Sequence, residues 1–164
     1  MAESAAMENA TATGSLVHVV CPNCGAINRF SSSRPAQAAR CGKCHLALFA
    51  GKPVPVDAAA FDRHITGNTI PLVVDFWAAW CGPCKAMAPA FERAAAELEP
   101  RFRFLKVDAD QAPAVSARYG ISSIPTLMLF FRGQPVARNA GAMDTGRILA
   151  WVRAHDPQPQ APRA

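Results

Sequence analysis

From Pro71 to Ala78 the chain reads PLVVDFWA, a run of β-branched and aromatic residues too continuous for a strand with one wet face. It predicts a central strand covered on both sides. Ahead of it, VPVDAAAFDRHITG predicts a short strand, a helix capped by Asp57 and a stop at Gly67. Behind it, Met87, Phe91, Ala94, Ala95 and Leu98 recur at spacings of three and four, which marks one face of a helix over Lys85 to Leu98. Pro89 falls inside that helix and predicts a kink. RFRFLKVDAD (101–110) alternates as a strand does, and APAVSARYG (112–120) reads as a short helix closed by Gly120. TLMLFF (126–131) and PVARNA (135–140) read as strands joined by a three-residue loop, Arg132-Gly133-Gln134. DTGRILAWVRAH (144–155) closes the series as a helix capped by Asp144, with Ile148, Leu149 and Val152 on one face. Parallel strands need helical crossovers while a hairpin adds an antiparallel edge, so the order implies an α/β fold with a mixed sheet and helices on both faces.

This periodic text occupies residues 53–155. Residues 16–52 are richer in turns, and the shift at GKPVPV (51–56) predicts a boundary between two units. Residues 1–15 and 156–164 are poor in large apolar side chains and are expected to be disordered. Among 164 residues, 51% are apolar, enough for one core, which excludes a wholly disordered chain. The net charge of +5 is modest, and its five basic residues ahead of Val56 are not interleaved with aromatics. No nucleic-acid partner is expected. The longest apolar run, Ile124 to Phe131, is far too short for a membrane span. The start MAESAAMENATATGS has neither the basic nor the apolar part of a secretory leader, so a reducing, cytoplasmic setting is expected.

All six cysteines fall in three Cys-x-x-Cys pairs. CPNC (21–24) and CGKC (41–44) are separated by 16 residues, a spacing that matches two knuckles of a four-thiolate zinc site. Cys21, Cys24, Cys41 and Cys44 are thus the expected ligands of one structural zinc ion, with two further redox dithiols as the alternative. Pro22, Gly25 and Gly42 are read as making the tight turns, and His45 as a bystander. The apolar residues nearby are few (Leu16, Val17, Val19, Ile27, Phe30, Leu46, Leu48, Phe49), so metal binding has to supply much of the folding energy. The third pair, Cys81 and Cys84 in WCGPC, follows the buried strand and opens a helix. Unpaired N–H groups there favour a thiolate at Cys81, and Cys84 lies one turn deeper. Taken alone, such a pair also fits a metal half-site or plain packing.

Around it, VVDFWAAWCGPCK, YGISSIPTLMLFFRG and AGAMDTGRI together resemble the thioredoxin family over about residues 53–155. The CPNC…CGKC extension resembles the zinc-binding, thioredoxin 2 type of that family. The resemblance implies a thioredoxin fold with a small zinc-ribbon-like module ahead of it. It also implies a protein-disulfide reductase, with Cys81 attacking a substrate disulfide and Cys84 resolving the mixed disulfide. Asp75 matches a buried carboxylate that takes up and returns protons, Lys106 a lysine that tunes it, and Pro125 a cis-proline facing the disulfide. Substrate contact falls to Trp80, Gly82, Pro83, Ile124 and Gly141, with Trp77 as packing. The implied partners are disulfide-bearing proteins and an NADPH-dependent flavin thioredoxin reductase, with the chain itself a monomer. A binding module or holdase controlled by zinc release is the rival expectation.

Overall fold

The computed structural model describes residues 16–158; the segment 1–15 and the end of the tail, 159–164, lie outside it. Two sheets are present. β1 (Leu16–Val20) and β2 (Ile27–Ser31) form an antiparallel pair. The larger sheet has the order β3 (Val54–Val56), β5 (Arg103–Asp108), β4 (Leu72–Trp77), β6 (Thr126–Phe131), β7 (Gln134–Ala140). β3, β5 and β4 run parallel, and β6 and β7 add an antiparallel edge. The run from Leu72 to Trp77, apolar but for Asp75, thus sits in the middle of the sheet as expected.

Helices α2 (Gly82–Leu98) and α4 (Thr145–Ala154) cover one face, where Met87, Phe91 and Leu98 meet Val73, Phe104, Leu127 and Ile148. α1 (Ala58–Gly67) and α3 (Pro113–Arg118) cover the other, where Phe61, Ile65 and Val115 meet Val74, Phe76 and Phe130. Each such phenylalanine, fully withdrawn from water, contributes about 1.5–3 kcal/mol. Asp57 and Asp144 cap their helices by accepting from the N–H groups of Ala60 and Arg147, both at 2.8 Å. α2 runs continuously through Pro89, whose missing N–H leaves the Lys85 carbonyl without its helical donor. No helix among the described residues is long and apolar enough to cross a membrane.

Three expectations change in detail, and Arg103 takes a place that the alternation of its strand left unspecified. The β6–β7 hairpin turns on two residues, Arg132 (φ 52°) and Gly133 (φ 80°), because Gln134 already pairs with Phe131. Two successive positive φ values match the twist of the flanking strands better than a longer loop would. Gly67 is the last residue of α1, and its backbone is not left-handed; a Cβ there would lie 2.6 Å from Val20 Cγ2, so the glycine admits β1. Arg103 has the parity of the buried Leu105 and Val107 and is itself only 1% exposed. Asp156, where the tail begins, is ion-paired to Arg101 at 2.6 Å.

The two sheets are packed together. Thr69 exchanges hydrogen bonds with the backbone of His18, Asn68 Oδ1 accepts from Val20 N–H at 2.9 Å, and Ile70 joins the small cluster of Val19, Phe30, Leu48 and Phe49. Arg103 donates to the Leu48 carbonyl at 2.7 Å, lies 4.5 Å from the Phe49 ring centre and pairs with buried Glu99 at 3.2 Å. Glu99 in turn accepts from Gly51 N–H at 3.0 Å. The apolar deficit of the cysteine-rich segment is therefore met partly by its neighbour and not by metal alone. Glu99 follows the C-terminus of α2 and Cys81 precedes its N-terminus. Seventeen helical residues, about 25 Å at 1.5 Å each, separate this interface from the WCGPC loop.

Candidate active site and metal centre

β4 ends at Trp77, and four residues later Cys81 occupies the N-cap of α2, where its Sγ accepts from Cys84 N–H at 3.2 Å. The three-residue offset puts the two cysteines on one turn, with Cα atoms 5.3 Å apart, and they are joined as a disulfide. Gly82 and Pro83 fill the first helical positions, where an imino nitrogen forfeits no intrahelical hydrogen bond. Both cysteines are nearly covered in this form, at 4% and 2% exposure, so the accessible surface of the loop belongs to Trp80 (71%), Gly82 and Pro83.

The Ile124–Pro125 bond is cis, and the Ile124 carbonyl oxygen lies 3.9 Å from Cys81 Sγ. Ile124 packs with Trp77 against the cluster of Ala78, Cys81 and Cys84. Gly141 donates its N–H to the Pro125 carbonyl at 2.9 Å. A Cβ at Gly141 would meet no atom of this chain within 4 Å, and its φ of 106° is what requires glycine there.

Asp75 lies on β4 with the parity of Val73, facing the side of the sheet that α2 covers. It is 1% exposed, and neither carboxylate oxygen has a hydrogen-bond partner. Burial pushes its pKa up to about 7, and Lys106 opposes that shift only in part. Lys106 is the direct cross-strand neighbour of Asp75, but its Nζ sits 4.6 Å from the Trp77 ring centre. The site thus combines a disulfide at a helix N-terminus with a carboxyl that can hold or release a proton near neutrality. Sequence reasoning missed Asp110, whose Oδ2 accepts from Trp80 Nε1 at 2.7 Å and fixes the exposed indole. Nothing in the local pattern around residue 110 signals that contact.

At the far end of the fold, the first two cysteine pairs converge. The four Sγ atoms lie within 4.8 Å of one another, with Cys21–Cys44 at 3.6 Å and Cys24–Cys41 at 3.5 Å. Four sulfurs at about 2.3 Å around a tetrahedral ion would stand about 3.8 Å apart, so this donor set fits zinc. Burial pushes the Cys21 thiol up to about 11, whereas the Cys44 backbone N–H pulls Cys41 down to about 5. The two knuckles share one design. Cys21 N–H bonds the Ala26 carbonyl and Gly25 N–H the Cys21 carbonyl; Cys41 with Leu46, and His45 with Cys41, repeat the pattern. His45 therefore stands where the first knuckle has glycine, at φ 67° against 75° for Gly25, while Gly42 is not left-handed. Its backbone thus has a part that the bystander reading did not foresee.

Comparison with known proteins follows this division. The thioredoxin family model matches residues 52–154, and the model described as thioredoxin 2, N-terminal, matches residues 20–46. Thioredoxin C-3 of Corynebacterium nephridii is 39% identical over 134 residues, which is 82% of this chain and 92% of that protein. Thioredoxin of Pyropia yezoensis is 42% identical over 100 residues, covering 61% of this chain and 94% of the relative. Among solved structures, a point mutant of thioredoxin from Halobacterium salinarum superimposes with a TM-score of 0.60 at 26% identity, covering 68% of this chain and 97% of that one. Similarity of this extent reaches both the redox fold and the four-cysteine segment, and the chain belongs to the thioredoxin family of thiol-disulfide oxidoreductases, with an N-terminal zinc ribbon of the thioredoxin 2 type.

Proposed function

We propose that the protein is a general protein-disulfide reductase working through Cys81 and Cys84. The observation that carries this reading is a disulfide at the N-terminus of α2 on the sheet face that holds a buried, unpartnered Asp75. In the reduced form, Cys81 thiolate attacks one sulfur of a substrate disulfide and expels the other as a thiolate. A mixed disulfide between Cys81 and the substrate results. Cys84 then loses its proton toward Asp75 and attacks Cys81 Sγ, which releases the reduced substrate and closes the Cys81–Cys84 disulfide. The two electrons gained by the substrate come from this dithiol. They are restored by a partner of the thioredoxin reductase class, which we take to be flavin-dependent and to use NADPH.

Substrate chain is held against the Ile124–Pro125 turn and the exposed face of Trp80, with Gly82, Pro83 and Gly141 giving room for its backbone. Lys106 moderates the basicity of Asp75. Cys21, Cys24, Cys41 and Cys44 would hold zinc, whose bound form supplies folding energy to residues 16–52. The proposed setting is the cytoplasm, where reduced thiols persist, and the proposed working form is a monomer.

Turnover of insulin disulfides with dithiothreitol tests the reading. Cys81→Ser is expected to abolish reduction, and Cys84→Ser to accumulate adducts through Cys81, identified by mass spectrometry of the trapped species. Adducts linked mainly through Cys21 to Cys44, or undiminished turnover in Cys81→Ser, would sink it. A pure binder, the rival reading, would show no repeated turnover in the wild type.

A further inference from the structure

The two knuckles satisfy their own leading sulfurs in the same way, Asn23 N–H reaching Cys21 Sγ and Lys43 N–H reaching Cys41 Sγ, both at 3.4 Å. Each is a local device, closed within its own few residues. Assembling a tetrahedral site requires in addition that the two halves, 16 residues apart in the chain, be held at one separation and angle.

Asn28 makes that connection. It is the second residue of β2, which leaves the first knuckle, and its half-buried side chain turns toward the second. Oδ1 accepts from Gly42 N–H at 2.8 Å. Nδ2 donates to the Ala26 carbonyl at 3.1 Å and lies 3.5 Å from Cys41 Sγ. The amide orientation is fixed by these partners, since the flipped form would set an oxygen against a carbonyl and a thiolate. These two hydrogen bonds, to Gly42 and to Cys41, join the halves of the ribbon, and across the site the Asn23 side chain faces Cys44.

We infer that Asn28 is a positioning residue for the metal centre, presetting the second cysteine pair against the first and donating a hydrogen bond to the Cys41 thiolate. This rests on the zinc reading of the four cysteines. Two physical effects follow. Holding the knuckles together lowers the ordering cost that metal binding must overcome. The N–H donor also drains charge from one of four thiolates that together exceed the charge of a divalent ion. Partners of this kind around metal ligands change affinity by about 10- to 100-fold when removed.

The test uses the full chain with Asn28→Ala and Asn28→Asp, and competition against a chromogenic chelator for zinc. Asn28→Asp keeps the acceptor for Gly42 N–H but places an oxygen anion where Nδ2 faced Cys41 Sγ. Zinc affinity is expected to fall about 10- to 100-fold in Asn28→Ala and at least as far in Asn28→Asp. The charge-transfer spectrum of the cobalt-loaded variants should stay that of a four-thiolate site, because Asn28 is not a ligand. Affinities within about threefold of wild type in both variants would overturn the inference, since removing a partner of this kind is worth at least about tenfold. A loss in Asn28→Ala with none in Asn28→Asp would also overturn it, reducing Asn28 to a partner of the Gly42 turn. Near-UV circular dichroism at saturating zinc checks folding, and Asn28→Ser replaces any variant that fails this check. The redox reading is untouched by either result, since insulin turnover is scored separately.

Discussion

Replacing Asp75 by Asn separates its protonation from its shape. The folded wild type holds the Asp75 proton up to about pH 7, because burial penalises the carboxylate and no hydrogen bond compensates, whereas the unfolded chain releases it near 3.8. Where the native state binds the extra proton, stability falls as pH rises between the two values. At about 1.4 kcal/mol per unit, the roughly three-unit gap costs the wild type about 4 kcal/mol by pH 8. Asparagine is neutral throughout and escapes this cost. Asp75→Asn is therefore expected to be more stable at pH 8 by about that amount, with the advantage shrinking by about 2 kcal/mol between pH 7 and pH 5. Urea unfolding of the oxidised protein, followed by tryptophan fluorescence at pH 5, 6, 7 and 8, measures the difference. The ribbon's own pH dependence is common to both proteins and cancels. In parallel, insulin turnover near pH 7 is expected to drop, since the proposed mechanism has Cys84 lose its proton toward Asp75. A stability difference that stays flat from pH 5 to pH 8 would refute the reasoning, for it would mean that Asp75 is already ionised in the folded protein at pH 5.

Two further outcomes test the interface and the second knuckle. Arg103→Met strips Glu99 of its buried partner and the Leu48 carbonyl of its donor, and is expected to cost about 3–5 kcal/mol in urea unfolding; a loss below about 1 kcal/mol would show that the pair does not fasten the ribbon. His45→Gly removes a side chain from a left-handed position and is expected to stabilise the zinc-loaded protein by about 1 kcal/mol, read as a higher midpoint of thermal unfolding, whereas a lower midpoint would give the imidazole a role of its own.

The architecture was legible because periodicity reports burial directly. PLVVDFWA could only be a doubly covered strand, and the 3.6-residue rhythm from Met87 to Leu98 could only be one face of a helix. The redox loop was legible too, though less from its Cys-x-x-Cys spacing, which also fits a metal half-site, than from the flanking motifs that resemble the thioredoxin family. The RFRFLKVD stretch was readable as a strand, yet not as one whose first arginine is buried, because alternation tells which residues share a face and not what lies against that face.

What lay beyond reading are the pairings between distant segments. Gly67 looks like a helix stop until Val20 is found against it; Arg103 looks like a solvated strand-end charge until Leu48, Phe49 and Glu99 enclose it. The two metal knuckles were predictable from their spacing, but Asn28, which ties them, carries no local signature of that task. The elements, the grouping of the six cysteines into pairs and the likeness to a known family were readable from residue order, because periodicity and motif spacing are properties of the chain before it folds. The environment of Asp75, the docking of the ribbon at the end of the sheet away from Cys81 and the partners of Arg103 emerge with the folded chain. Hydrogen bonds, desolvation and charge act through space, and the fold alone sets which side chains come within their reach.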